Sequence, residues 1–266
     1  MRGPALPPGP RPPLWREARL GLEVLALLRD PVSRGDGVPK GRGRPVLLIP
    51  GFLAGDGSLA LMARWLGRCG YRPAQAGMLA NVDCSGAALA RLADRLERLV
   101  GERDRRAALI GHSRGGGLAR ALAHRRPDLV AALVTLGAPH LDPLAVHPLV
   151  RLQLQAVSGL GSLGAPRLFK RSCLTGDCCA SFWKEVAAPL PAGVKFVSVY
   201  SRSDGVVDWR ACLDPQAEQA EVRSSHCGMA VNPGAWRAVA DALGALDRGG
   251  RPERQRPRAG GLRRAA

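Results

Sequence analysis

Short apolar runs alternate along this chain with stripes of leucine at three- and four-residue spacing. "RPVLLIP" (Arg44 to Pro50) is too short for a helix and carries no polar face, which predicts a strand covered on both sides. "RAALIGH" (106–112), "LVAALVTLGAP" (129–139), "VKFVSVYS" (194–201) and "AEVRSS" (220–225) predict further strands, and "YRPAQAGML" an edge strand. Helices are expected from Ser58 to a Gly at 70, in "GLARALAHRRP" up to Pro127, and over 233–246 with Asn232 as N-cap. From Ser85 to Val100, Leu89, Leu92, Leu96 and Leu99 form an apolar stripe opposite Arg91, Asp94, Arg95, Glu97 and Arg98, which predicts an amphipathic helix. Strands separated by such helices need right-handed crossovers, so the fold class is α/β, a mostly parallel central sheet with helices on both faces.

Two regions depart from this alternation. Residues 141–192 place about 50 residues between two strands; a structureless loop of that size is rare, so a helical cap or lid is expected. Its Leu144, Leu149, Leu152, Leu154 and Val157 either wall a lipophilic pocket or pack on the sheet. Residues 1–43 and 247–266 are rich in Pro, Gly and Arg and read as flexible basic extensions around a principal domain of 44–246. Within the first extension, Leu14 to Arg29 has helical spacing, with Trp15, Leu22, Leu25 and Leu28 on one side expected to pack on the domain or lie on a membrane surface.

The net charge of +17 is uneven, with +10 of it in residues 1–44 and 247–266 together. It therefore argues for solubilising tails rather than a nucleic-acid partner. No run of about 18 apolar residues exists, and "LGLEVLALL" is interrupted by Glu23, so neither a membrane span nor an export signal is expected. A cytoplasmic location follows, with room for peripheral membrane contact. The seven cysteines are an odd number; "CLTGDCC" could close one local disulfide, but it lacks the paired spacing of a zinc site, and no metal or cofactor is expected.

The chemistry points to "ALIGHSRGGGLAR". Gly111, Ser113 and Gly115 stand where a buried strand turns into a helix, the place at which a sharp bend exposes a serine hydroxyl and side chains on the flanking residues would clash. With "LIPGF" upstream and "VTLGAPH" downstream, this series resembles the lipase and esterase branch of the α/β-hydrolase superfamily over roughly residues 44–246. The resemblance implies a Ser, Asp, His triad in that chain order: Ser113 as nucleophile, Asp204 in "SRSDGVVDW" as acid, His226 in "SSHCGM" as base. It also implies an oxyanion hole from the backbone N–H groups of Arg114 and Phe52, although Pro50 stands where many lipases have histidine. Asp208 rivals Asp204, and His140 rivals His226 but precedes the acid in the chain and fits a pocket wall better. The implied reaction is hydrolysis of a small-molecule or lipid ester through an acyl-enzyme. Acyl transfer to another alcohol, thioester or amide cleavage, and a non-catalytic binding role are the alternatives.

Overall fold

The computed structural model describes residues 13–101 and 105–248. Among these, strands β1 (Pro45–Ile49), β2 (Arg72–Gln75), β3 (Ala107–His112), β4 (Val130–Leu136), β5 (Lys195–Tyr200) and β6 (Glu218–Glu221) form one parallel sheet in the order β2-β1-β3-β4-β5-β6. Every residue of β1, β3 and β4 is buried, because helices cover both faces.

Successive strand residues point to opposite faces and so feed two cores. Val46, Leu48, Ile110 and Val134 pack with α2 (Ala60–Arg68) and α8 (Pro233–Arg248), where Trp65 and Trp236 stack at 4.5 Å. Leu47, Ile49, Leu109 and Leu133 pack on the other side with α3 (Ser85–Gly101) and α4 (Arg114–Arg125). Asn232 caps α8 as expected, its Oδ1 accepting from the Ala235 N–H at 3.1 Å.

The strand order reverses between β1 and β3, which opens a crevice beyond their carboxyl ends. Phe52 follows β1 and Ser113 follows β3, so both stand at that crevice. The 141–192 segment contributes α5 (Pro148–Ser162), α6 (Arg171–Thr175) and α7 (Ala180–Ala187) between β4 and β5. Its apolar residues divide three ways. Leu144 and Leu154 line a cavity, Val157 packs against the core, and Leu149 and Leu152 face outward at 51% and 60% exposure.

Three sequence expectations need adjustment. The last strand is 218–221 rather than 220–225, and the chain from Val222 to Ser225 leads away from the sheet towards His226. From Pro13 onward the N-terminal segment lies folded on the domain, a 3-10 helix over Leu14–Arg19 running into α1 (Leu20–Arg29). Its apolar side, moreover, faces away from the protein, with Trp15 at 70% and Leu22 at 69% exposure, while Leu27 and Glu23 are buried. The surface beneath offers backbone N–H groups, so the acidic side of the helix is the one that docks. The flexibility expected of residues 1–12 and 249–266 lies outside the described residues. No helix among the described residues is long and apolar enough to cross a membrane.

Candidate active site

Ser113 sits between β3 and α4 with φ of 52° and ψ of −123°, a backbone conformation that non-glycine residues rarely adopt. Its flanking glycines have no room for a side chain. A Cβ on Gly115 would run into the carbonyl oxygen of Ile49 and lie 2.5 Å from that of Pro50; one on Gly111 would lie 2.5 Å from the Gly115 carbonyl oxygen. The bend therefore brings α4 hard against β1. Arg114 opens α4, and the first N–H groups of a helix have no partner within it.

Asp204 is fully buried beyond β5, its Oδ1 accepting from the N–H groups of Val206 at 2.8 Å and Val207 at 2.7 Å. Its Oδ2 lies 2.7 Å from Nδ1 of His226. A carboxylate only accepts, so this contact places the proton on Nδ1 and leaves the lone pair on Nε2. Burial lowers the His226 pKa, but the charge and hydrogen bond of Asp204, with a further contribution from Glu17, outweigh it and the net shift is upward. The ring stands over the end of β4, where a Cβ on Gly137 would come within 3.1 Å of Nδ1. Ser113 donates its N–H to Leu136, the residue before Gly137, at 2.9 Å. The serine and the imidazole thus occupy adjacent strand ends, although Ser113 Oγ forms no hydrogen bond to His226 in this structure.

The rivals have other partners. Asp208 caps a short 3-10 helix and pairs with Arg210 at 3.0 Å. His140 is buried with Nε2 3.0 Å from Thr135 Oγ1, and burial brings its pKa down to about 3. It lines the cavity, as a pocket wall would. His112 Nε2 lies 2.9 Å from the carbonyl oxygen of His226 and so donates to it, with the ring pushed down to about 4 by burial and then by the His226 charge.

The cavity beside Ser113 has a volume of about 110 Å³ and is lined mostly by apolar side chains, among them Phe52, Val150, Leu154, Phe169, Trp183 and Val186. Phe52 lines it from the loop after β1. That loop is braced by residues without a sequence signature. Asn81 Nδ2 donates to the Pro50 carbonyl at 2.7 Å, and the Arg114 guanidinium donates to both the carbonyl (2.7 Å) and Oδ1 (2.6 Å) of Asn81. The side chain after the serine thereby ties the Phe52 loop to the bend.

The N-terminal helix carries a second brace. Glu17 Oε1 accepts from the N–H groups of Gly205 at 3.0 Å and His226 at 2.8 Å, and its Oε2 from that of Cys227 at 3.0 Å. Glu23 accepts from the N–H of Ser225 at 2.7 Å and its hydroxyl at 2.6 Å. Both carboxylates hold the loop that presents His226. Two acidic positions in the helical stretch Leu14–Arg29 were the only hint in the sequence.

Comparison with known proteins agrees with this architecture. The profile of the alpha/beta hydrolase fold family matches residues 87–162, from α3 through the bend to α5. No curated protein matches the chain. Among solved structures, the mature form of the Bacillus licheniformis lipase BlEst2 is similar at a TM-score of 0.58 and 17% identity, covering 77% of this chain and 94% of that one. The metagenomic carboxyl esterase MGS0156 is similar at 0.56 and 15%, covering 79% and 76%. A soluble variant of the Saccharomyces cerevisiae monoglyceride lipase, in complex with a substrate analogue, is similar at 0.56 and 16%, covering 80% and 88%. At such identities the likeness is one of fold. With the parallel sheet, the strained serine between β3 and α4 and the family match across that bend, the chain has the α/β-hydrolase fold.

Proposed function

We propose that the protein is a serine hydrolase of the lipase and esterase branch that cleaves carboxylic esters through Ser113, His226 and Asp204. The observation that carries this reading is the 2.7 Å contact between Asp204 and His226 Nδ1 next to a strained serine that lines an apolar cavity. With Nδ1 holding its proton towards Asp204, Nε2 is the free base. It takes the Ser113 proton as the hydroxyl attacks the ester carbonyl, and Asp204 stabilises the imidazolium that forms. Substrate binding closes the contact between hydroxyl and Nε2, as catalytic hydrogen bonds often tighten only in the complex.

The tetrahedral oxyanion is held by the backbone N–H groups of Arg114 and Phe52, aimed by the Asn81 brace. His226 then protonates the departing alcohol and activates water to release the acid. Trp183, Leu154 and Phe169 receive the acyl chain. The solved neighbours named as lipases and a carboxyl esterase support this choice of substrate class.

The test is a series of p-nitrophenyl esters of increasing acyl length, run on wild type and Ser113→Ala alongside a fluorophosphonate probe. Labelling of Ser113 and loss of at least about 10³-fold in kcat are expected in the variant. Equal turnover by both proteins would remove Ser113 from the chemistry. Competing alcohols and a thioester in the same assay separate hydrolysis from acyl transfer and thioester cleavage.

A further inference from the structure

The sulfurs of Cys84, Cys173, Cys178 and Cys179 all lie within 4.8 Å of one another, brought together from two parts of the chain about 90 residues apart. Sγ of Cys84 is 3.6 Å from those of both Cys178 and Cys179, Cys173 is 3.6 Å from Cys178, and Cys178 is 3.9 Å from Cys179. All four are free thiols, so the cluster is not held by S–S bonds. Four thiolates around one zinc at about 2.3 Å lie at the corners of a tetrahedron whose edge is about 3.8 Å. Four of the six separations match that edge, and the other two do not exceed 4.8 Å.

We propose that these four cysteines bind a structural zinc ion. The surroundings suit the charge. Binding releases four protons and leaves a Zn(S-Cys)₄ centre of net charge −2, and the Arg114 guanidinium is near enough for the charges of Cys84, Cys173 and Cys179 to act on it. Cys84 immediately precedes Ser85, the first residue of the 17-residue helix α3, so its sulfur lies at the positive end of that helix. Four protein thiolates leave the metal no open position, so it takes no part in ester cleavage.

Its place in the fold gives it a purpose. Cys84 precedes α3, Cys173 belongs to α6, and Cys178 and Cys179 lead into α7. A metal here fastens the inserted helices to the sheet domain. Cys173 itself lines the cavity with Leu174, Phe182 and Trp183, so the same clamp sets the inner wall of the pocket beside Ser113. The site does not depend on what that pocket binds.

The experiment is metal analysis of the full-length chain, purified from zinc-supplemented culture, by mass spectrometry of the elements and by release of zinc to a colorimetric chelator after denaturation. About one zinc per chain is expected, falling to about a tenth or less in Cys84→Ser and in Cys178→Ser but unchanged in Cys227→Ser, which lies outside the cluster. If the serine variants fail to fold, exchange of wild type with Co²⁺ decides: four-thiolate tetrahedral cobalt shows strong visible bands with sulfur-to-metal charge transfer. Three results would overturn the proposal: an intact mass lower by two hydrogens per disulfide with these cysteines linked, four reduced thiols without metal, or full zinc retained by both folded serine variants.

Discussion

Replacing Glu17 by Gln tests whether the N-terminal helix positions His226, the proposed base. The carboxylate accepts three backbone N–H groups, from Gly205, His226 and Cys227, at 2.8 to 3.0 Å. Glutamine keeps the shape and one acceptor oxygen, but turns an NH₂ towards the donor facing the other. Three charge-assisted bonds become two neutral ones and one unsatisfied donor. At about 1 kcal/mol per weakened bond, and discounted because Glu17 is partly exposed, the loss comes to about 1–3 kcal/mol. For a domain of this size that lowers Tm by about 2–12 °C.

Stability alone does not distinguish positioning from packing; the pH profile does. The negative charge of Glu17 is one of the influences that raise the His226 pKa. In the proposed mechanism the base is the neutral imidazole, so activity rises as pH climbs through that pKa. Removing the charge lowers the pKa, and the acid limb of kcat/KM moves to lower pH. At pH 6 the variant should keep a larger fraction of its own maximum than wild type keeps. The assay is kcat/KM for a short p-nitrophenyl ester from pH 5 to 9, read at the isosbestic wavelength of p-nitrophenol and well below Tm. An unmoved acid limb, whatever happens to Tm, would refute the positioning role.

Other outcomes follow from the same geometry. Asp204→Asn offers an amide that can donate to Nδ1 and push the proton onto Nε2, so kcat should fall by about 10³–10⁴-fold, measured on the same ester. In wild type the acid limb should lie above the ordinary imidazole value of about 6.5, because the His226 pKa is raised; a limb at or below that value contradicts the assignment. Gly115→Ala forces a Cβ into the Ile49 carbonyl and should cost more than about 3 kcal/mol in thermal denaturation. Arg120 pairs with Asp214 at 2.6 Å with both side chains about 5% exposed or less, so Asp214→Ala strands a buried cation and should cost about 3–5 kcal/mol by urea titration.

Much of the molecule was legible from local pattern. Apolar runs such as "RPVLLIP" can only be buried strands, and the stripe of Leu89, Leu92, Leu96 and Leu99 can only be a helix face, because burial must follow the period of the backbone. The bend at Ser113 was legible for the same reason: its steric demands fall on neighbours in the chain. The inward turn of Glu17 and Glu23, the brace from Asn81 to Arg114 and the gathering of Cys84 with Cys173, Cys178 and Cys179 left no such trace. Each joins groups distant in sequence, and each depends on which backbone N–H groups or sulfurs the packed sheet happens to leave facing a given surface. The sequence by itself determined the periodicity, and hence the layers and the strand ends. Only the tertiary structure decided which side chains meet at those ends, since a partner 90 or 200 residues away imposes no spacing that a local pattern could show.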